Sequence, residues 1–404
     1  MNNFKIPKIR FMNFNDKWKY KILGEISSSI EYGLNASAKD FDGIHKYLRI
    51  TDIDDSSRLF LTDKLSSPDV NFTEENYENY KLQKNDLLFA RTGASVGKTY
   101  LYRESDGEVY YAGFLIRARL HDSYDGNFVF QQTLTDKYKQ FTEITSQRSG
   151  QPGINGKEYG NWKIGMTSYS EQSAIGSLFR ILDDLLSSYK NNLANYQSLK
   201  ATMLSKMFPK AGQTVPEIRL DGFEGEWGNA IIKDHVTLLN GRAFKQDELL
   251  DEGKYRVVRV GNFNTNDRWY YSNLELEENK YAHEGDLLYL WATNFGPEIW
   301  DKEKIIYHYH IWKFEFDRSI IDRDYLYYWL ERDKERIKQN TNGSTMVHVT
   351  KSMMENREFL FPMFKEQQAI GAYFSNLDNL INSHQEKISQ LETLKKKLLQ
   401  DMFI

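Results

Sequence analysis

The chain has no cysteine among its 404 residues. This excludes disulfides and every thiolate zinc site, and with them zinc fingers as a way of holding nucleic acid. Proline is scarce at 7 residues, and no two prolines are adjacent. The Asn/Asp-Pro-Pro-aromatic motif with which an adenine methyltransferase holds a flipped base is therefore missing. No H-E-x-x-H pair occurs, so that zinc-peptidase signature is absent too. Apolar runs stay well short of the roughly 18 residues of a membrane span. The first residues, Met-Asn-Asn-Phe-Lys-Ile-Pro-Lys, carry charge and a proline where a signal peptide needs an apolar core, so a cytoplasmic location is expected. Positive charge is not in excess. A net charge of −4 and a pI of about 6.1 argue against wholesale attraction to phosphates. A nucleic-acid reader of this composition has to concentrate its cations on its reading surfaces or take backbone contacts from a partner.

What is present is a repeat. Residues 171–208 align without a gap on residues 366–403, with about 15 of 38 positions identical, more than a shared amphipathic pattern explains. Apolar residues fall at coiled-coil spacing in both copies. They are Ile175, Leu178, Leu182, Leu185, Tyr189, Tyr196, Leu199 and Met203 in the first, and Ile370, Tyr373, Leu377, Leu380, Leu391, Leu394 and Leu398 in the second. Two long helices are predicted, each roughly 55 Å at 1.5 Å per residue. Both seams turn polar centrally, at Asn192 and at His384 with Lys387, as register-fixing positions do. A generic dimerisation helix has the same periodicity.

The repeat extends beyond the helices. Ile6-Pro-Lys-Ile-Arg-Phe, Phe14 and Trp18 recur with unchanged spacing as Val215-Pro-Glu-Ile-Arg-Leu, Phe223 and Trp227, read as an opening strand and tryptophan. Leu48-Arg-Ile-Thr-Asp-Ile corresponds to Val258-Arg-Val-Gly-Asn-Phe, and Asn85-Asp-Leu-Leu-Phe-Ala to Gly285-Asp-Leu-Leu-Tyr-Leu, as strand runs closed by turn residues. Between these anchors the copies diverge. Pro209 and Gly212 mark a joint that no helix crosses. The expected plan is an α/β domain over residues 1–166, a helix over 167–208, a second α/β domain over 209–362 and a second helix over 363–404.

With these features the sequence resembles the specificity subunits of type I restriction-modification systems over essentially its whole length. The features are the two EQxAIG helix openings at Glu171 and Glu366, the two [IV]PxIR[FL] openings, the run from Asp86 to Lys98, and Gly285-Asp-Leu-Leu-Tyr-Leu-Trp-Ala-Thr-Asn-Phe-Gly-Pro. One departure is visible. The first domain ends Ile164-Gly-Met-Thr-Ser, without the proline of Leu360-Phe-Pro. The resemblance implies two target-recognition domains, each reading half of a bipartite DNA site, separated by an antiparallel pair of helices acting as a ruler. It implies a non-catalytic chain that docks two DNA adenine methyltransferase subunits, with room for two restriction (translocase and nuclease) subunits. No cofactor is then expected on this chain. S-adenosylmethionine belongs to the methyltransferase, and ATP and magnesium to a restriction subunit. A ruler is geometrically sensible, because two major-groove readers on one face of DNA sit about 34 Å or a multiple apart. The rival class is a cytoplasmic coiled-coil scaffold whose α/β domains bind proteins.

Candidate contact residues cluster in loops. Gly93-Ala-Ser-Val-Gly-Lys-Thr has three residues between its glycines where a phosphate-binding loop needs four. A turn offering Arg91, Thr92, Gly93, Ser95 and Lys98 to DNA is the preferred reading, with an ordinary surface hairpin as the alternative. The polar, amide-rich stretch carrying Gln147, Arg148, Ser149, Gln151 and Lys157 suits reading base edges, and equally suits a plain domain-exit loop. Its second-domain counterpart supplies Asn342, Ser344, Thr345, His348 and Lys351. His308 and His310 are expected on one face of a half-buried strand and facing DNA, since no third metal ligand is identifiable nearby. Trp291, Asn294 and Phe295 are placed on a loop before Gly296-Pro297, with core packing of Trp291 as the alternative. The run Lys395-Lys396-Lys397 reads as a solvated helix face that could also touch a partner.

Overall fold

The computed structural model describes residues 6–148, 150–263, 266–292, 295–340 and 349–404. The chain forms two units, Met1–Asn191 with Gln385–Ile404, and Asn192–His384. Each long helix is thus shared between units, and the division falls where both seams turn polar, at Asn192 and His384.

In the first unit the Asp86–Ala90 strand is buried along its whole length, because cores cover both faces of its sheet. Leu87 and Phe89 face Trp18, Phe128 and Trp162, together with Ile175, Phe179 and Leu182 of the Tyr169–Lys206 helix and Phe403. Leu88 and Ala90 face Leu48, Tyr100 and Tyr111. The apolar run without alternation is the mark of a strand covered on both sides. Its sheet is antiparallel, in the order Ser27–Tyr32, Leu115–Leu120, Asp86–Ala90, Thr99–Leu101. Lys46–Leu48 pairs in parallel with Val109–Tyr111, and Lys19–Ile22 pairs antiparallel with Lys163–Met166.

The second unit repeats every one of these pairings. Its four-stranded sheet runs Val236–Asn240, Ile311–Phe316, Leu287–Leu290, Gly296–Ile299. Tyr255–Val258 pairs in parallel with Ile305–Tyr307, and Gly228–Ile231 pairs antiparallel with Glu358–Phe361. The architecture is α/β, two sheet-containing domains each with a long helix. Two glycines show how close the correspondence is. A Cβ on Gly33 would lie 2.2 Å from the Ala112 carbonyl oxygen, and one on Gly241 2.2 Å from that of His308. Only glycine lets the chain pass so close.

The helix-opening motif is a three-part clasp. Glu171 receives the Arg10 guanidinium at 2.6 and 2.7 Å, and Glu366 receives that of Arg219 at 2.8 and 2.7 Å. Gln172 accepts the Asp125 amide at 3.2 Å and donates to the Thr167 carbonyl at 2.6 Å. Gln367 does the same with Asp322 and Pro362, both at 2.9 Å. Losing the proline thus leaves the glutamine's anchor to that carbonyl intact, since the bond is to backbone. Asp125 and Asp322 in turn cap helices, accepting the amides of Phe128 and Tyr325 at 2.8 and 2.9 Å.

Two local expectations are corrected. Ile6-Pro-Lys-Ile-Arg-Phe is irregular, and the strand begins only at Lys19. Arg10 is turned onto Glu171 and the Asp16 carbonyl, which holds the segment away from a ladder. The run after Leu48 is likewise no strand, because Asp52 accepts the Arg49 amide at 2.9 Å and closes a 3-10 turn over Ile50–Asp52.

Both helices are 38 residues long, Tyr169–Lys206 and Phe364–Asp401. In the first unit, Asp183 bonds Lys395 at 2.5 Å and Lys190 meets Glu392 at 2.7 Å. In the second, Tyr196 meets His384 ring to ring at 5.1 Å and Lys200 bonds Asp378 at 2.5 Å. Within each unit, rising numbers on one helix meet falling numbers on the other, so the helices pair antiparallel. No described helix is long and apolar enough to cross a membrane.

Candidate nucleic-acid interface

The first domain brings its two candidate loops together. Thr92 bridges Gly153, the Gly93 amide donates to the Pro152 carbonyl at 3.0 Å, and the Ile154 amide donates to that of Arg91 at 2.9 Å. Gly93, at φ 74°, has the Gln151 amide nitrogen 3.1 Å from where a Cβ would stand. Gln147, Arg148, Gln151 and Lys157 are exposed on this joined surface, and Ser95 is half-buried. Arg148 is held by Glu158 at 2.5 Å and by the Thr145 and Gln147 carbonyls at 2.9 Å, so part of its role is to pin its own loop. Ser149 lies outside the described residues.

Lys98 departs from the expectation. It is buried, with its ammonium 2.9 Å from the Ile53 carbonyl, 3.3 Å from that of Ile50 and 2.6 Å from Asp55. An ammonium with its donors already occupied inside the fold is not free to meet a phosphate. Gly97 is packed too, its amide 3.2 Å from the Tyr159 hydroxyl. The glycine turn is therefore a packed hairpin from which Arg91 emerges.

Arg91 sits over the Tyr32 ring at 5.1 Å and makes no ion pair among the described residues. Tyr32, 44% exposed, accepts the Gly156 amide at 3.1 Å. Phe114, 62% exposed, takes the Arg91 amide on its carbonyl. Neither aromatic was singled out from the sequence. The signal for Phe114 was its place after Gly113 between two strands, where an exposed phenylalanine has no packing reason.

The second domain holds the same frame with different side chains. The Trp291 amide donates to the His310 carbonyl as Arg91 does to Phe114, and the Val349 amide donates to Trp291 as Ile154 does to Arg91. Trp291 is half-buried and stacks on Trp312 at 6.0 Å with its ring N–H on the Tyr309 carbonyl at 2.9 Å. Phe295 is a core residue, 6% exposed, which removes it from the contact set. His308 and His310 do not share a strand face. They flank Tyr309 in the turn between Ile305–Tyr307 and Ile311–Phe316. The carbonyls of Tyr307 and Ile311 meet the amides of Arg242 and Gly241, and that pairing bends the chain into the turn. Burial pushes the His308 imidazole down to about 4, helped by His310 and Arg259, so it is neutral at pH 7. Lys351 opens the Lys351–Glu355 helix, 3.6 Å from Glu355. Asn294, Asn342, Ser344, Thr345 and His348 lie outside the described residues. Among the described residues no three His, Asp or Glu side chains are placed to share a metal ion.

Comparison with known proteins agrees with the sequence resemblance. Residues 224–393 match the type I restriction modification DNA specificity domain. The chain is 32% identical over 122 residues to the type I restriction enzyme MjaVIII specificity subunit of Methanocaldococcus jannaschii, an alignment covering 30% of this chain and 29% of that one. It is 23% identical over 416 residues to the putative MjaX specificity subunit of the same organism, covering 98% and 95% of the two chains. The crystal structure of a type I restriction-modification S subunit from M. genitalium shares the fold at a TM-score of 0.64 and 16% identity, with 99% of each chain covered.

Proposed function

We propose that this chain is a specificity subunit of a type I restriction-modification system, which reads a bipartite DNA target with its two domains and scaffolds the enzymes that act on it. The observation that carries this reading is the pair of homologous loop junctions, Arg91 with Ile154 and Trp291 with Val349. They use one backbone frame to present different side chains. A fixed frame with exchangeable tips is what two readers of two half-sites require. On this reading the antiparallel helices set the spacing between half-sites and dock two adenine methyltransferase subunits. S-adenosylmethionine would be held by those subunits, and ATP and magnesium by any restriction subunits that join.

Direct binding selection tests this. The chain, in complex with its methyltransferase subunit, is presented with random duplexes, and enrichment of a two-part motif is expected. A complex showing no preference among sequences would overturn the proposal. Salt separates it from a protein-binding scaffold, since phosphate contacts make DNA affinity fall steeply with added salt. Exchanging residues 1–166 for the corresponding domain of a relative should change one half-site and leave the other intact.

A further inference from the structure

The two domains treat one homologous arginine in opposite ways. In the first, Arg49 is bidentate to Asp52 at 2.8 and 2.9 Å, and its charge is neutralised within its own 3-10 turn. In the second, the turn recurs over Val260–Phe263 with Asn262 in the place of Asp52. Asn262 still accepts the Arg259 amide, at 3.0 Å. Its amide nitrogen faces the carbonyls of Asn266 and Arg268 at 3.1 and 3.0 Å, so nothing anionic is offered to the Arg259 guanidinium.

Neighbouring arginines sharpen the contrast. Arg242 pairs with Glu248 at 2.5 Å, Arg256 with Glu303 at 3.0 Å and Arg268 with Asp251 at 3.2 Å. Arg259 makes no ion pair or side-chain hydrogen bond among the described residues. Its guanidinium is half-buried over the Tyr270 ring at 4.2 Å. It lies close enough to His308 to act on that imidazole, whose buried Nδ1 also has no hydrogen-bond partner among the described residues. His308 in turn contacts Tyr309 and His310, at 4.4 and 5.0 Å between rings, and His310 contacts Trp291 at 4.8 Å. Arg259 therefore joins the candidate surface of the second domain.

We infer that Arg259 is a base-reading residue of the second domain, directing its guanidinium fork to the O6 and N7 acceptors of a guanine in the major groove. The inference rests on the DNA-reading proposal above. A phosphate is met by mobile, solvated cations, whereas a half-buried arginine seated on an aromatic ring is held in one place with its donors unspent. Bidentate recognition of guanine needs that fixed fork and an empty set of donors. Arg49 has spent its donors on Asp52, so the first domain lacks this reader at the equivalent position.

The test uses the full chain in complex with its methyltransferase subunit and a pool of random duplexes, comparing wild type, Arg259→Ala, Arg259→Lys and, as a control, Arg268→Ala. Arg259→Ala is expected to lose the preference for guanine at one position of one half-site, and Arg259→Lys, which lacks the planar fork, to weaken it. Affinity for the preferred duplex should fall by about tenfold to a hundredfold. The other half-site and the melting temperature should be unchanged, and Arg268→Ala should keep the wild-type motif. An unchanged motif in Arg259→Ala would overturn the inference. So would uniform weakening on every duplex with a shallower salt dependence, because that assigns Arg259 to phosphate. A wild-type complex without any motif would overturn the DNA-reading proposal itself, an outcome distinct from the others.

Discussion

Arg10 and Glu171 stand 161 positions apart in sequence and meet through two hydrogen bonds of 2.6 and 2.7 Å, the carboxylate fully buried. This ion pair ties the opening segment of the first domain to the start of its helix. Arg219 and Glu366 repeat it in the second.

The two copies should differ in what the arginine is worth. Glu171 also accepts the Trp18 indole N–H at 3.2 Å and the Thr167 hydroxyl. The homologous Trp227 indole nitrogen has no hydrogen-bond partner among the described residues. Removing one partner of a buried pair typically costs about 3–5 kcal/mol. Arg219→Ala should sit in that range and Arg10→Ala below it, measured by urea denaturation. Equal losses would show that the tryptophan and threonine bonds together contribute nothing.

Gly176 and Gly371 allow the capping aspartates to approach. A Cβ on Gly176 would stand 2.3 Å from the Asp125 carboxylate oxygen, and one on Gly371 2.9 Å from that of Asp322. Alanine at either position should destabilise its own unit by about 1–3 kcal/mol, despite the better helix propensity of alanine. Denaturation would check this, and a stabilised variant would contradict it.

Arg91 should behave as a DNA contact and Lys98 as a structural residue. Arg91→Ala is expected to weaken binding of the first half-site by about tenfold or more with an unchanged melting temperature. Lys98→Met should lower the melting temperature, since it leaves Asp55 and two carbonyls without their ammonium. Binding isotherms and thermal melts on the same preparations separate the two roles.

A pH effect is expected at Glu298. Burial pushes its carboxyl up to about 7, with Lys334 opposing and Glu331 adding to the rise. A folded-state value above the ordinary one means that the folded chain holds the proton more tightly. The stabilisation is complete below the ordinary carboxylate range and is lost as pH rises through about 7. Glu298→Gln stays neutral throughout. It should melt with the wild type at pH 4.5 and about 2–4 °C above it at pH 8. A constant difference across that span would show that the carboxyl does not titrate there.

Much of the frame was legible in the sequence because it is periodic or duplicated. The helices follow from apolar spacing, and the duplicated strand runs and EQxAIG motifs mark the same positions in both domains. Helix pairing also follows, since the seam residues of each copy need a partner face. The candidate loops were identifiable as polar, glycine-containing stretches beside the anchors.

Sequence alone determined that the chain is a doubled domain-and-helix module without thiols, built on one frame with two sets of contents. Only the tertiary structure decided which polar side chains face outward. Lys98 and Arg91 lie seven positions apart on one turn, yet one is drawn inward by two carbonyls and the other rests on Tyr32. Arg49 and Arg259 share a position in the repeat, and one carboxylate separates a neutralised arginine from an available one. The physical reason is that whether a charged side chain is neutralised or left available depends on which acceptors and carboxylates the fold brings beside it from elsewhere in the chain.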